Sequence, residues 1–238
     1  MSTIDVKELF NAGLSYGYRR ARRHSSTAPF VHGQKGGLDV IDLEKTALQL
    51  TKASDAVEKV ASTGRKVLFV GGKNEVRQVV KMAAEKADQP FVTGRWIGGT
   101  LTNFPQIAKR LKRLASLIEG KEKGGWDKYT KLERLMLDRE RAKLELMFGG
   151  IAEMKELPGL VVVVDPRHDD TAVREANKIG IPVVALANTD CDITEITHPI
   201  VGNDSTVSAV KYVLNVLVVA VDRGISQKST SAPKPESK

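Results

Sequence analysis

The strongest constraint on this chain is a set of short runs that are apolar at every position. Leu160–Val164 is five apolar residues closed by Asp165-Pro166, Val67–Val70 is four closed by Gly71-Gly72, and Ile181–Ala187 is a third. A strand exposed on one face alternates apolar and polar, so runs without alternation read as strands buried on both faces. Pro90–Thr93 reads as a further short strand, with Lys66 beginning the strand to Val70. Helical patterns lie between them: from Asp42, an N-cap, to about Ser62; from Asn74 to about Ala87; from about Asp169 to Ile179; and a long, mostly apolar helix over Ser205–Asp222. Strands alternating with helices specify an α/β fold, a parallel sheet covered on both sides. Upstream, residues 4–15 read as a short helix, the segment to Ala28 as irregular, and Pro29–Val31 as the start of an extended piece.

Residues 105–148 follow a different period. Ile107, Leu111, Leu114 and Ile118 take the four-three-four spacing of a narrow helical seam, Leu137 and Leu144 repeat at seven, and Gly120, Gly124 and Gly125 supply a turn. This predicts an α-helical, coiled-coil hairpin inserted into one α/β domain formed by residues 1–104 and 149–225. Residues 226–238, rich in Ser, Lys and Pro with no large apolar side chain, read as a disordered tail.

Charge is placed unevenly. The 37 basic and 29 acidic residues give +8, but residues 1–37 carry +4, residues 105–148 carry +5 and residues 149–238 carry −3. Arg19, Arg20, Arg22 and Arg23 fall within five positions beside Tyr16, Tyr18 and His24, and guanidinium forks match phosphate geometry while rings stack on bases. A solubilising loop explains one such cluster equally well, and a second basic element tips the balance toward nucleic acid. The hairpin supplies it with Lys109, Arg110, Lys112 and Arg113, and further out Lys121, Lys123 and Lys128. Lys35, Arg95 and Trp96 complete the candidate RNA-binding set. The segment Arg95–Phe104, with Gly98-Gly99, reads either as a loop admitting close approach of a phosphate or as a hinge with Trp96 and Phe104 as core plugs.

Other chemistries find less support. No apolar stretch approaches the roughly 18 residues of a membrane span, and Asp5 and Glu8 stand where a secretory signal carries positive charge. Cys191 is the only cysteine, so a cytosolic, disulfide-free protein is expected. Gly71-Gly72-Lys73 follows a strand as a phosphate cradle does, but neither glycine-rich nucleotide motif has its spacing. An enzyme using Gly71, Gly72 and Asp165 for a nucleotide remains the first rival, and a module whose hairpin pairs with another hairpin the second. His24, His32, His168 and His198 are scattered. Asp190, Asp192 and Asp204 could hold magnesium, or Cys191 with a distant histidine zinc; a capping loop explains Asp190 and Asp192 as well, and no cofactor is expected.

Several segments together resemble the S-two family of small-subunit ribosomal proteins of the bacterial type, over about residues 8–223. Gly37–Thr46, Arg95–Phe104, Pro158–Pro182 with Asp165, Asp169, Glu175 and Gly180, and Ala187–Asp192 followed by Pro199-Ile200 and Gly202–Asp204 occur in the family's order. The resemblance implies a flavodoxin-like three-layer body with an inserted hairpin, no catalytic activity and no small-molecule substrate. It also implies binding to 16S ribosomal RNA through body and hairpin, contact with neighbouring small-subunit proteins, and docking of the large first small-subunit protein, which captures messenger RNA. One departure stands out. Gly13–Tyr18 lacks two histidines usual in the family, with Ser15 and Tyr18 in their places.

Overall fold

The computed structural model describes residues 4–231, with side chains to residue 228. In chain order the elements are α1 (Val6–Ala12), β1 (Tyr16–Arg19), β2 (Val31–Lys35), β3 (Leu38–Ile41), α2 (Leu43–Ser62), β4 (Val67–Val70), α3 (Arg77–Lys86) and β5 (Phe91–Val92). They continue with α4 (Phe104–Glu122), α5 (Lys131–Phe148), β6 (Leu160–Val164), α6 (Asp170–Lys178), β7 (Val183–Ala187), β8 (His198–Val201) and α7 (Val207–Ser231). Five strands form one all-parallel sheet in the order β5-β4-β6-β7-β8. Counted from β4 this is 2-1-3-4-5, the flavodoxin-like order.

The unbroken apolar runs are explained by the two cores. Leu160, Val162 and Val164 of β6 pack with Val67 and Phe69 of β4 against α1, α2, α3 and α7. Val161 and Val163 pack with Leu68 and Val70 against α6 and the root of α4 and α5. Every residue of β6 is at most 2 % exposed. Asp42 caps α2 as expected, accepting from Glu44 N–H and Lys45 N–H. α7 lies along α2 so closely that a Cβ at Gly224 would sit 2.4 Å from Glu58 O.

Three elements differ most from the sequence reading. β8 was not foreseen, because it is a short edge strand containing Pro199. The N-terminal segment is not irregular: β1, β3 and β2 form an antiparallel sheet, with Gly36 and Gly37 at positive φ of 60° and 79° making the tight turn between β2 and β3. The helix expected to stop at Asp222 runs to Ser231, taking in the first residues of the expected tail. Arg223 and Gln227 hold that extension to Glu58 of α2. The rest of the tail, 232–238, lies outside the described residues.

α4 and α5 pair antiparallel, with Arg113 bidentate to Glu140 and Lys121 2.8 Å from Asp138. The seam on α4 is Ile107, Leu111, Leu114 and Leu117, with Ile118 only half-buried. Leu144 is buried and Leu137 half-buried. Thr130 and Glu133 close a capping box at the start of α5.

Candidate nucleic-acid interface

In this topology ligands bind at the carboxyl ends of the strands, beside β4 and β6. Here the chain's own groups fill that crevice. Asp169 Oδ2 accepts from Gly72 N–H at 2.7 Å, and a Cβ at Gly72 would meet Asp169 Oδ1 at 2.8 Å. Lys73 Nζ stands 3.3 Å from Asp165 Oδ2 and 3.2 Å from Asp204 Oδ2. Burial pulls the Lys73 ammonium's pKa down, but Asp204 and Asp165 outweigh it and hold the charge on. Burial and then Asp165 push the Asp204 carboxyl up, against hydrogen bonds from Asn188 and Lys73. The groups that a nucleotide enzyme would offer to phosphate and metal therefore satisfy one another.

The candidate metal ligands are separated in the same way. Asp190 pairs with Arg167. Asp192 accepts from Thr194 N–H at 3.0 Å and Thr194 Oγ1–H at 2.8 Å, with His24 Nδ1 3.7 Å away. Asp204 faces Lys73 and Asn188. Among the described residues no three potential ligands converge. Cys191 is 1 % exposed, and burial, then Asp165 and Asp190, push its thiol up to about 12.

The loop Arg95–Asn103 is tied down by one buried carboxylate. Glu175 Oε1 accepts from Trp96 Nε1–H at 3.1 Å and Gly99 N–H at 2.7 Å, while Oε2 accepts from Leu101 N–H at 3.0 Å and from Thr102 N–H and Oγ1–H, both at 3.2 Å. Gly99 reaches its position at φ 88°. Burial pushes the Glu175 carboxyl up, but the bonds from Gly99, Trp96, Leu101 and Thr102 hold it below the usual glutamate value. Trp96, one of the candidate RNA contacts, is 8 % exposed in the second core with its one N–H engaged by Glu175, the position of a core plug. The loop's N–H groups do converge on an anion, and that anion is the chain's own Glu175. The sequence signal was a glutamate beside Ala172, Val173 and Ala176 on the buried face of α6.

Arg19, Arg20 and Arg22 lie exposed on β1 and the 3-10 turn after it. That lobe is seated on Thr189, whose Oγ1 accepts from Tyr18 N–H at 2.9 Å and whose O accepts from His24 N–H and Thr27 Oγ1–H, both at 2.8 Å. Gly17 permits the seating, since a Cβ there would lie 2.6 Å from Thr189 Cγ2. The Ala187–Asp192 loop is thus the socket of the arginine lobe, a role the sequence did not signal. Arg22 stacks on the Tyr18 ring, 5.6 Å from its centroid, and Arg23 sits 3.7 Å from buried Asp39. Lys35 and Arg95 are exposed, as are Lys109, Arg110 and Lys112 at the root of α4. Arg113 is engaged by Glu140. On α5 the neighbouring Leu132, Leu135 and Met136 are exposed.

A family model for ribosomal protein S2 matches residues 9–224. Curated relatives named small ribosomal subunit protein uS2 align over nearly the whole chain. The relative from Christiangramia forsetii is 38 % identical over 95 % of this chain and 76 % of its own length. That from Flavobacterium johnsoniae is 38 % identical over 94 % and 89 %, and that from Mesoplasma florum 42 % identical over 93 % and 83 %.

Proposed function

The chain belongs to the ribosomal protein S2 family, and from that premise we propose that it builds the small ribosomal subunit by binding 16S ribosomal RNA through two basic elements. It is a structural component of the particle and not an enzyme. The observation that carries the RNA reading is the pairing of a self-filled α/β crevice with two exposed cationic surfaces. One is Arg19, Arg20 and Arg22 on the N-terminal lobe; the other is Lys109, Arg110 and Lys112 at the root of α4. Lys35 and Arg95 extend the contact. Phosphate neutralisation supplies the affinity, and the shape of the folded RNA supplies the selectivity.

Residues 105–148 act as an inserted unit with two surfaces. The α4 root serves RNA, and the exposed Leu132, Leu135 and Met136 of α5 serve protein neighbours, among them the large first small-subunit protein. The protein works on the ribosome in the cytoplasm, without a small-molecule substrate. Among the described residues no helix is long and apolar enough to cross a membrane.

The test is sedimentation of a tagged copy through gradients of cell lysate at low and high salt, with and without nuclease. Co-migration with the small subunit that weakens with salt and is lost with nuclease is expected. Migration as a free protein at low salt would refute the reading, and association indifferent to nuclease would favour hairpin-to-hairpin pairing instead.

A further inference from the structure

The four arginines of the N-terminal lobe are not equivalent. Arg23 Nη1 lies 3.7 Å from the fully buried carboxylate of Asp39, so a phosphate must compete with an internal anion for it. Arg22 is oriented differently. The 3-10 turn Arg20–Arg22 carries it back over the ring of Tyr18, with its guanidinium carbon 5.6 Å from the ring centroid. It has no carboxylate partner among the described residues.

The ring itself is fixed at both ends. Tyr18 N–H donates to Thr189 Oγ1 at 2.9 Å. Its hydroxyl is 3.0 Å from Ser205 Oγ, which in turn lies 3.1 Å from Asp204 Oδ1 and 3.3 Å from Lys73 Nζ. The phenol therefore rests on the ion cluster that fills the sheet crevice.

A cation stacked on an aromatic face is oriented without engaging any of its N–H donors, whereas a carboxylate partner occupies them. We propose that Tyr18 is a positioning residue, a platform that presents the unpaired Arg22 fork to one phosphate of the RNA backbone. This rests on the RNA-binding reading above and deepens it. Arg22 takes one face of the ring and offers its fork outward, so this contact reads phosphate and not base identity.

The experiment has two arms, with Tyr18→Phe, Tyr18→Leu and Arg22→Ala in the full chain. The first follows the ordering of the Arg22 Nε–H by NMR relaxation without RNA. Ordered Nε–H in the wild type and Tyr18→Phe but mobile Nε–H in Tyr18→Leu is expected; equal mobility in all three overturns the platform. The second measures binding to a 16S ribosomal RNA transcript against salt. Arg22→Ala should lower the salt slope by about 0.7–0.9. Tyr18→Leu should weaken binding about two- to fivefold, the reach of one cation–π contact, lower the slope in the same direction, and cost nothing more in the Arg22→Ala background. Tyr18→Phe should restore wild-type binding. Equal losses from Tyr18→Leu with and without Arg22 overturn the proposal. Salt-independent binding by the wild type would instead sink the RNA reading, and the NMR arm would still decide the role of Tyr18.

Discussion

Replacing Glu175 by Ala tests the account of the Arg95–Asn103 loop most severely. The carboxylate accepts five hydrogen bonds, two of them from groups that stay buried, Trp96 Nε1–H and Leu101 N–H. Each buried donor left without an acceptor costs about 1–3 kcal/mol, and bonds to a charged acceptor are at the strong end of the range. Allowing for water reaching the more exposed Gly99 and Thr102, the loss comes to about 3–5 kcal/mol. For a chain of this size that lowers Tm by about 6–20 °C. Glu175→Gln should recover only part of it, since its NH2 group must face a donor. The pH dependence follows from the depressed pKa of the native carboxyl. Its contribution is complete above the unfolded glutamate value of about 4.3 and is lost as pH falls through the lower native value. Urea unfolding of wild type and both variants at pH 7, and of wild type against Glu175→Gln from pH 5 to 3, measures this. A Glu175→Ala protein within about 1 kcal/mol of wild type at pH 7 would refute the reasoning.

Lys73→Met should destabilise by about 3–5 kcal/mol, because it leaves Asp165 and Asp204 facing each other without their shared cation. Asp204 already has a raised pKa, so the folded state holds its proton above the unfolded value and the deficit should shrink from pH 7 to pH 5; a deficit that grows over that range contradicts this. Gly150→Ala should cost about 1–3 kcal/mol, since its Cβ would fall 2.3 Å from Phe91 O, while Gly149→Ala, whose Cβ meets only Glu145 Cγ at 3.6 Å, should be close to neutral by thermal melting. Cys191, with its thiol pushed up to about 12, should label with a thiol reagent at pH 8 only as fast as the protein opens; labelling within seconds of mixing would place the thiol at the surface.

The apolar runs Val67–Val70, Leu160–Val164 and Ile181–Ala187, the last forming its strand from Val183, the Asp42 cap and the helices between them were legible in the sequence. So were the two basic stretches. Each rests on local periodicity or on a side chain acting on its own backbone, and these are properties of neighbouring residues. The α4 seam was legible only to within one residue, because a step of three and a step of four from Leu114 both stay near the same helix face. The fold closes the seam on Leu117 and leaves Ile118 half-buried.

The tertiary structure decided what the polar residues do. The Arg95–Phe104 segment reads equally as a phosphate loop or as a hinge with Trp96 a core plug until α6 brings Glu175 beneath Trp96 from 79 positions away. Asp190, Asp192 and Asp204 read as metal candidates or as loop caps until Arg167, Thr194 and Lys73 take them up separately. Arg19 to Arg23 read as one uniform patch until Tyr18 and Asp39 divide it. Apolar side chains need only a dry surface, so their pattern declares itself along the chain. A charged or hydrogen-bonding side chain is defined by the one partner it meets, and that partner is chosen only when distant segments come together.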